Sequence, residues 1–431
     1  MSSRLIILLL AVLPVAPAVA ADITLDGANT AWILTATALV LFMTLPGLAL
    51  FYGGLVRSKN VLSILIQCFA ISGVATIVWM VAGYSIAFSQ GTPFFGGLSK
   101  ILFAGVTEDA MTGDIPESLF ALFQMTFAII TPALVIGGFA ERIRFSAVLL
   151  FAIFWLLLVY APVTHWVWGG GWLQQMGVLD FAGGIVVHIT AGVAALVAAL
   201  VVGKRADFPH KAITPHNMTL TIAGAGMLWV GWFGFNGGSA LAANGDAAMA
   251  MLVTHVSAAT AAITWMCYEW LRFGKPTALG TVTGMVAGLG TITPASGFVG
   301  PAGALVIGFL AGIICFNATM LIKGKWHIDD SLDVFPVHGV GGILGTLLAG
   351  VFASTDLGLF SGQGFGGNNE TMAAQLSVQV IGVVATIVFT AIVSYIIFKV
   401  IDLAFGGLRI DAAGESRGLD IDSHEERGYD L

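Results

Sequence analysis

Apolar residues fall along this chain in eleven blocks, at about 30–53, 61–88, 118–139, 145–163, 181–203, 218–236, 248–271, 278–293, 300–322, 334–353 and 374–403. Short polar segments separate them. A run of about 20 mostly apolar residues reads as a membrane-spanning helix, because a helix satisfies its own backbone polar groups in lipid. The pattern predicts an all-α polytopic membrane protein with eleven transmembrane helices. Ahead of the first block, Arg4, the apolar run from Leu5 to Val12 and the small residues Ala18-Val19-Ala20 read as a cleaved signal peptide over residues 1–20. The expected division is that signal, a membrane domain over 21–405 and a polar tail over 406–431.

A signal peptide places the mature N-terminus outside, and eleven crossings then place the C-terminus inside. The basic residues test this independently. Of 17 Lys and Arg, Arg4 lies in the signal and only Lys100 falls outside. The others, from Arg57 and Lys59 to Arg417 and Arg427, all fall inside. Five spans, five more and one suggest an inverted repeat plus an extra helix, since an odd-numbered unit flips when duplicated.

Composition strengthens the membrane reading. Charged residues make up 10% of the 431 and hydrophobic ones 58%, where a soluble domain carries about 25% charged. Mean hydropathy is +0.94. Glycine, at 55 residues, is nearly twice its usual share of about 7%, which suits close helix packing in lipid. The net charge of −7 points to no partner, and nothing suggests nucleic acid. Cys68, Cys267 and Cys315 lie in different blocks with no linking motif, so neither a disulfide framework nor a metal site is expected.

Two histidines change the picture. His188 and His338 sit in blocks with no acidic or basic residue beside them. Ionisable rings at membrane depth are costly and usually face a cavity. Each could be a core residue bonded to a neighbouring helix, but both follow a similar pattern. Leu179-Asp180 precedes one and Leu332-Asp333 the other, and glycines flank both rings. Spans five and ten would bring the rings toward the midplane from opposite faces, which points to a conduction path. Asp180 and Asp333 are also candidate helix N-caps, with Asp180 equally placed to serve the outer entrance.

Aromatics crowd the outer ends of several spans: Phe123 to Phe127, Trp166 to Trp172, and Gly231 to Ser239. Most suit an interfacial belt. An aromatic-lined entrance without a carboxylate would also trap a small cation on its π faces.

At these residues the chain resembles the ammonium transporter family. The carrying motifs are Phe51-Tyr52-Gly53-Gly54-Leu55-Val56-Arg57, Ala140-Glu141-Arg142-Ile143-Arg144-Phe145-Ser146-Ala147, Leu179 to His188, Gly231 to Ser239, and Asp333-Val334-Phe335-Pro336-Val337-His338-Gly339-Val340. The resemblance runs from about residue 30 into the tail. It implies that Trp168, Ser239 and Phe127 hold ammonium at an outer vestibule supported by Asp180. It implies that Phe127 and Phe235 stack as a gate, and that His188, His338 and Trp232 line the pore beyond. Rhesus-type relatives generally lack the vestibule tryptophan and serine, so the transporter branch fits better. Pro336 departs from the glycine of some members, and a first helical turn tolerates it.

Ammonium matches potassium in size and charge but has four N–H donors and a proton to lose. An apolar pore with two imidazoles could use that difference by passing ammonia. The resemblance also implies a homotrimer, a bacterial inner-membrane location, and closure by a PII-type signalling protein. The tail is either a solvated end or, as Gly418 to His424 suggests, a regulatory segment packed beneath the pore. Two readings compete with transport. One is an ammonium-sensing receptor with little flux. The other is an intramembrane hydrolase or metalloenzyme, which lacks a third histidine, an HExxH motif and a nucleophile motif. No enzyme activity, cofactor or metal is expected.

Overall fold

The computed structural model describes residues 24–430. The signal-peptide segment 1–20 lies outside them. Within this range the chain folds as a bundle of helices: α1 Gly27–Leu55, α2 Ser58–Phe88, α3 Glu117–Phe139, α4 Phe145–Gln175, α5 Gly184–Val202, α6 Met218–Gly237, α7 Gly245–Phe273, α8 Ala278–Ile292, α9 Pro301–Lys325, α10 Phe335–Phe352 and α11 Met372–Ala404. Short polar residues start many of them. Asp26, Asn217, Asn244, Thr277 and Thr371 each accept backbone N–H groups of the helix that follows.

Among the described residues, ten helices are long and apolar enough to cross a membrane. The remaining block, the eighth, is helical but short. The 15 residues of α8 rise only about 22 Å, less than the roughly 30 Å of hydrocarbon. The chain then turns through Thr293–Phe298 before α9. The segment between α2 and α3 carries a small antiparallel hairpin, β1 Met111–Thr112 with β2 Ile115–Pro116.

α3 is central, with nearly every side chain buried. α5 packs between α3, α10 and α11, and α7 lies against α8 and α9. Glycine sets one approach that matters for function. A Cβ on Gly192 would stand 2.3 Å from the Gly339 Cα, so α5 and α10 touch backbone to backbone there. Both helices begin with a wide π-type turn, over Gly184–Ile189 and Phe335–Gly339. Such turns recur at functional sites, and each carries one of the histidines.

The tail is packed, not free. Residues Ala412–Arg417 form α12 and Leu419–His424 form α13. The Asp420 carboxylate caps α2 by accepting from Leu62 N at 3.1 Å and Ser63 N at 2.8 Å. Tyr429 OH lies 3.0 Å from His216 Nε2, and Arg409 pairs with Ile143 in a short bridge.

Candidate functional site

Three cavities follow one another through the bundle. The first is about 190 Å³ and is lined by Phe88, Phe120, Gln124, Phe127, Trp168, Gln174, Phe181, Ser239 and Leu241. It brings together Trp168, Phe127 and Ser239, from α4, α3 and the end of α6. The Trp168 ring stands edge-on to Phe127 at 6.0 Å. Its indole N–H donates to the Asp180 carbonyl at 2.8 Å, which fixes the ring. Ser239 Oγ donates to the Phe235 carbonyl at 2.8 Å. Its lone pairs therefore remain available to accept an N–H from a ligand.

Asp180 does not line this cavity. Its carboxylate accepts from Gly183, Gly184, Ile185 and Val186 N–H groups at 2.9, 2.6, 2.8 and 3.2 Å. The first turn of a helix presents unpaired donors, and four of them claim both oxygens. Asp180 is thus the cap, and it reaches the cavity only through its backbone carbonyl to Trp168. Asp333 is a correction of the opposite kind. Its φ of 59° turns the side chain away to Lys323, 2.8 Å distant. Asp330 caps α10 instead, accepting from Phe335 N at 2.7 Å.

Next to the first cavity the rings of Phe127 and Phe235 pack with centroids 4.3 Å apart and planes tilted by 33°. The second cavity begins beneath them. It is about 10 Å³, at the lower limit for one water. Its walls are Met43, Leu48, Ile130, Leu134, Leu228 and Val286, with Trp232, Phe235, His188 and His338. The two histidine rings are nearly parallel, 5.2 Å between centroids and 16° apart. Their Nδ1 atoms are 3.2 Å from each other. Trp232 stacks on His188 at 5.5 Å, and its indole N–H donates to Thr293 Oγ1 at 2.9 Å. The aliphatic walls gave no signal in sequence, because apolar residues at those positions look like any other part of a span.

A hydrogen bond between the Nδ1 atoms requires one ring to donate and the other to accept, and in two neutral rings that would give them different outward faces. The ring that donates through Nδ1 keeps an unprotonated Nε2, an acceptor. The ring that accepts through Nδ1 carries its hydrogen on Nε2, a donor. The narrow cavity thus offers one acceptor and one donor, with no fixed charge.

The third cavity is about 230 Å³ and opens beyond His338 toward the tail end. Polar groups enter here: Arg205, Glu269, Lys323, Ser331 and Asp333. Behind it lies a buried charge network built on the Ala140-Glu141-Arg142 motif. Arg205 bonds Asp329 at 2.7 Å and Glu141 at 3.0 Å, and Arg57 joins Glu141 at 3.0 Å. Burial alone would raise the Glu141 carboxyl, but the Arg205 and Arg57 charges outweigh it and hold it below its ordinary value. Burial opposes Arg205 at Asp329 as well, and Arg205 again prevails, keeping that carboxyl low. Asp330 differs: burial and the neighbouring Asp333 charge push it up to about 6.

The sequence model of the Ammonium Transporter Family matches residues 31–429. An ammonium transporter of Aquifex aeolicus is 48% identical over 422 residues, covering 96% of each chain. One from Bacillus subtilis is 47% identical over 400 residues, covering 91% of this chain and 96% of its own. Among solved structures, Saccharomyces cerevisiae Mep2 superposes with a TM-score of 0.83 at 38% identity, covering 90% of this chain and 89% of that one. A protein described as a sensor Amt protein superposes with a TM-score of 0.85 at 29% identity, covering 92% of this chain and 98% of that one.

Proposed function

This chain belongs to the Ammonium Transporter Family, and we propose that it takes ammonium at the Trp168 cavity, removes a proton and conducts ammonia past the paired histidines. The observation that carries this reading is the order of the three cavities. An aromatic cage with one free hydroxyl acceptor leads, through two packed phenylalanines, to a passage of about 10 Å³. The cage suits a small cation with N–H donors. The passage does not suit a hydrated one. Dehydrating ammonium in apolar surroundings costs several kcal/mol, and losing the proton removes most of that cost. Potassium has no proton to lose. In the passage the acceptor and donor faces of the histidines match the N–H groups and lone pair of ammonia.

The same reading sets the topology. The Trp168 end faces out, the tail end faces in, and α8 with the turn after it completes eleven crossings as a 5+5 repeat plus α11. In a bacterium the setting is the inner membrane. The family implies a homotrimer, and a contact between subunits is supported by His255, which is exposed on α7 beside Trp229 at 5.2 Å and Phe233 at 6.1 Å. A histidine facing lipid is costly, and a second subunit would cover it. The inner face, at the end of the third cavity, is where a PII-type protein would close the path. A sensing role is a second reading, favoured by the likeness to the sensor Amt protein.

Current recordings on proteoliposomes with ammonium against potassium separate the two, since a pure sensor carries neither. In that assay Trp168→Leu is expected to weaken discrimination of ammonium about tenfold, in line with a cation–π contribution of roughly 0.5–2 kcal/mol. A folded variant with parent selectivity would make Trp168 a belt residue. Truncation at Gly406 is expected to leave a folded, membrane-inserted protein whose conduction is no longer regulated. All spans are complete by Ala404, so failure to insert would make the tail structural.

A further inference from the structure

Two glutamines, Gln375 and Gln379, stand in the mostly apolar α11, and both are fully buried. A glutamine amide has two donor hydrogens and an oxygen with two lone pairs. Gln379 uses all four. Its Oε1 accepts from Leu179 N at 2.8 Å and from Gln375 Nε2 at 3.1 Å. Its Nε2 donates to the carbonyls of Leu179 and Thr346, both at 2.8 Å. Bonding both the N–H and the C=O of one residue copies the paired bonds of antiparallel strands, so it fixes the position and the rotation of Leu179. Gln375 extends the clamp, donating to the Gly177 carbonyl at 2.9 Å. Gly350 on α10 leaves the room, since a Cβ there would stand 3.0 Å from Gln379 Cγ.

What hangs on this clamp is the recognition machinery. Leu179 precedes Asp180, whose carbonyl aims the Trp168 indole and whose carboxylate holds the first turn of α5. His188 follows on α5. Thr346 lies on α10, which carries His338. No α11 residue lines any of the three cavities. We infer that Gln379 is a positioning residue, which sets the aim of Trp168 from outside the path. This inference rests on the proposed function.

The test is transport by Gln379→Met in proteoliposomes, with folded yield and thermal stability measured alongside. Methionine keeps the volume and removes all four bonds. The expected result is an apparent KM for ammonium raised about fivefold or more with the maximal rate within about twofold, because small displacements of binding groups are costly. On a Trp168→Leu background the same change should add little, since Gln379 acts through that ring. Gln379→Glu supplies a second readout. Protonated, its carboxyl returns one donor toward Leu179 or Thr346. Ionised, it faces two carbonyl oxygens with none. Its KM relative to the parent should therefore fall as pH is lowered. A parent-like KM in both variants, full additivity with Trp168→Leu, or losses that only follow folded yield would each overturn the inference. A parent that carries no ammonium would overturn the proposed function instead.

Discussion

Replacing His188 with aspartate, or His338 with glutamate, is expected to keep the fold but admit potassium. The rings meet at 3.2 Å in a passage of about 10 Å³ walled by Met43, Leu48, Ile130 and Leu134. Nothing there offsets the charge of a naked cation. A carboxylate would. Two unit charges 4 Å apart attract by about 4 kcal/mol at an effective dielectric of 20, against about 1 in water. A gain of even 3 kcal/mol is on the order of a hundredfold in an equilibrium constant. Selectivity for ammonium over potassium should fall by that order. A carboxyl in this setting also has reason to protonate, so the potassium current should grow as pH rises. The measurement is current for both ions across a pH series. Parent-like behaviour of both variants at every pH would take the rings out of the path.

The second large effect is expected on stability. Arg205 is buried and joins Asp329 and Glu141. Arg205→Met leaves Asp329 without that partner and Glu141 with Arg57 alone. Breaking a buried pair from one side costs about 3–5 kcal/mol, so thermal unfolding in detergent at pH 7 should move well down. The pH dependence follows from the carboxylates. Glu141 and Asp329 are held below their ordinary values of 4.5 and 3.8. Their contribution is present above those values and is lost as pH falls through the lowered ones. The gap between parent and variant should therefore shrink under acid. Asp330 runs the other way. Its value of about 6 against an ordinary 3.8 means stability gained as pH falls between them, but in parent and variant alike. An acid-independent gap would show that Arg205 acts by packing alone.

The sequence by itself determined where the helices are. Each apolar block became a helix, and most limits lie a few residues from those expected, because the cost of unpaired backbone in lipid acts locally and uniformly; α4 runs on to Gln175, well past the expected end at 163. The blocks also carried the family, and they made His188 and His338 conspicuous as lone ionisable rings. Counting crossings was less secure. α8 is 15 residues long, and whether so short a helix spans depends on its neighbours and on the turn after it.

Only the tertiary structure decided what those residues touch. That the rings meet at 3.2 Å depends on Gly192 and Gly339 letting two helices cross backbone to backbone. Glycines flank both rings in the sequence, but nothing local says that these two face each other. Capping fell to the expected residue at Asp180 but not in the other half, where a left-handed backbone at Asp333 left the role to Asp330. The tail could be read either as solvated or as packed, because a polar segment gives no sign of which groups it will meet. Its Asp420 meets the start of α2, more than 350 residues away. Gln379 was visible as a polar residue in a mostly apolar span, but three of its four bonds go to two other segments, at Leu179 and Thr346. Periodicity is a property of neighbours in sequence and can be read there. Contacts between residues 150 or 350 apart depend on how helices tilt and cross, which only the folded bundle fixes.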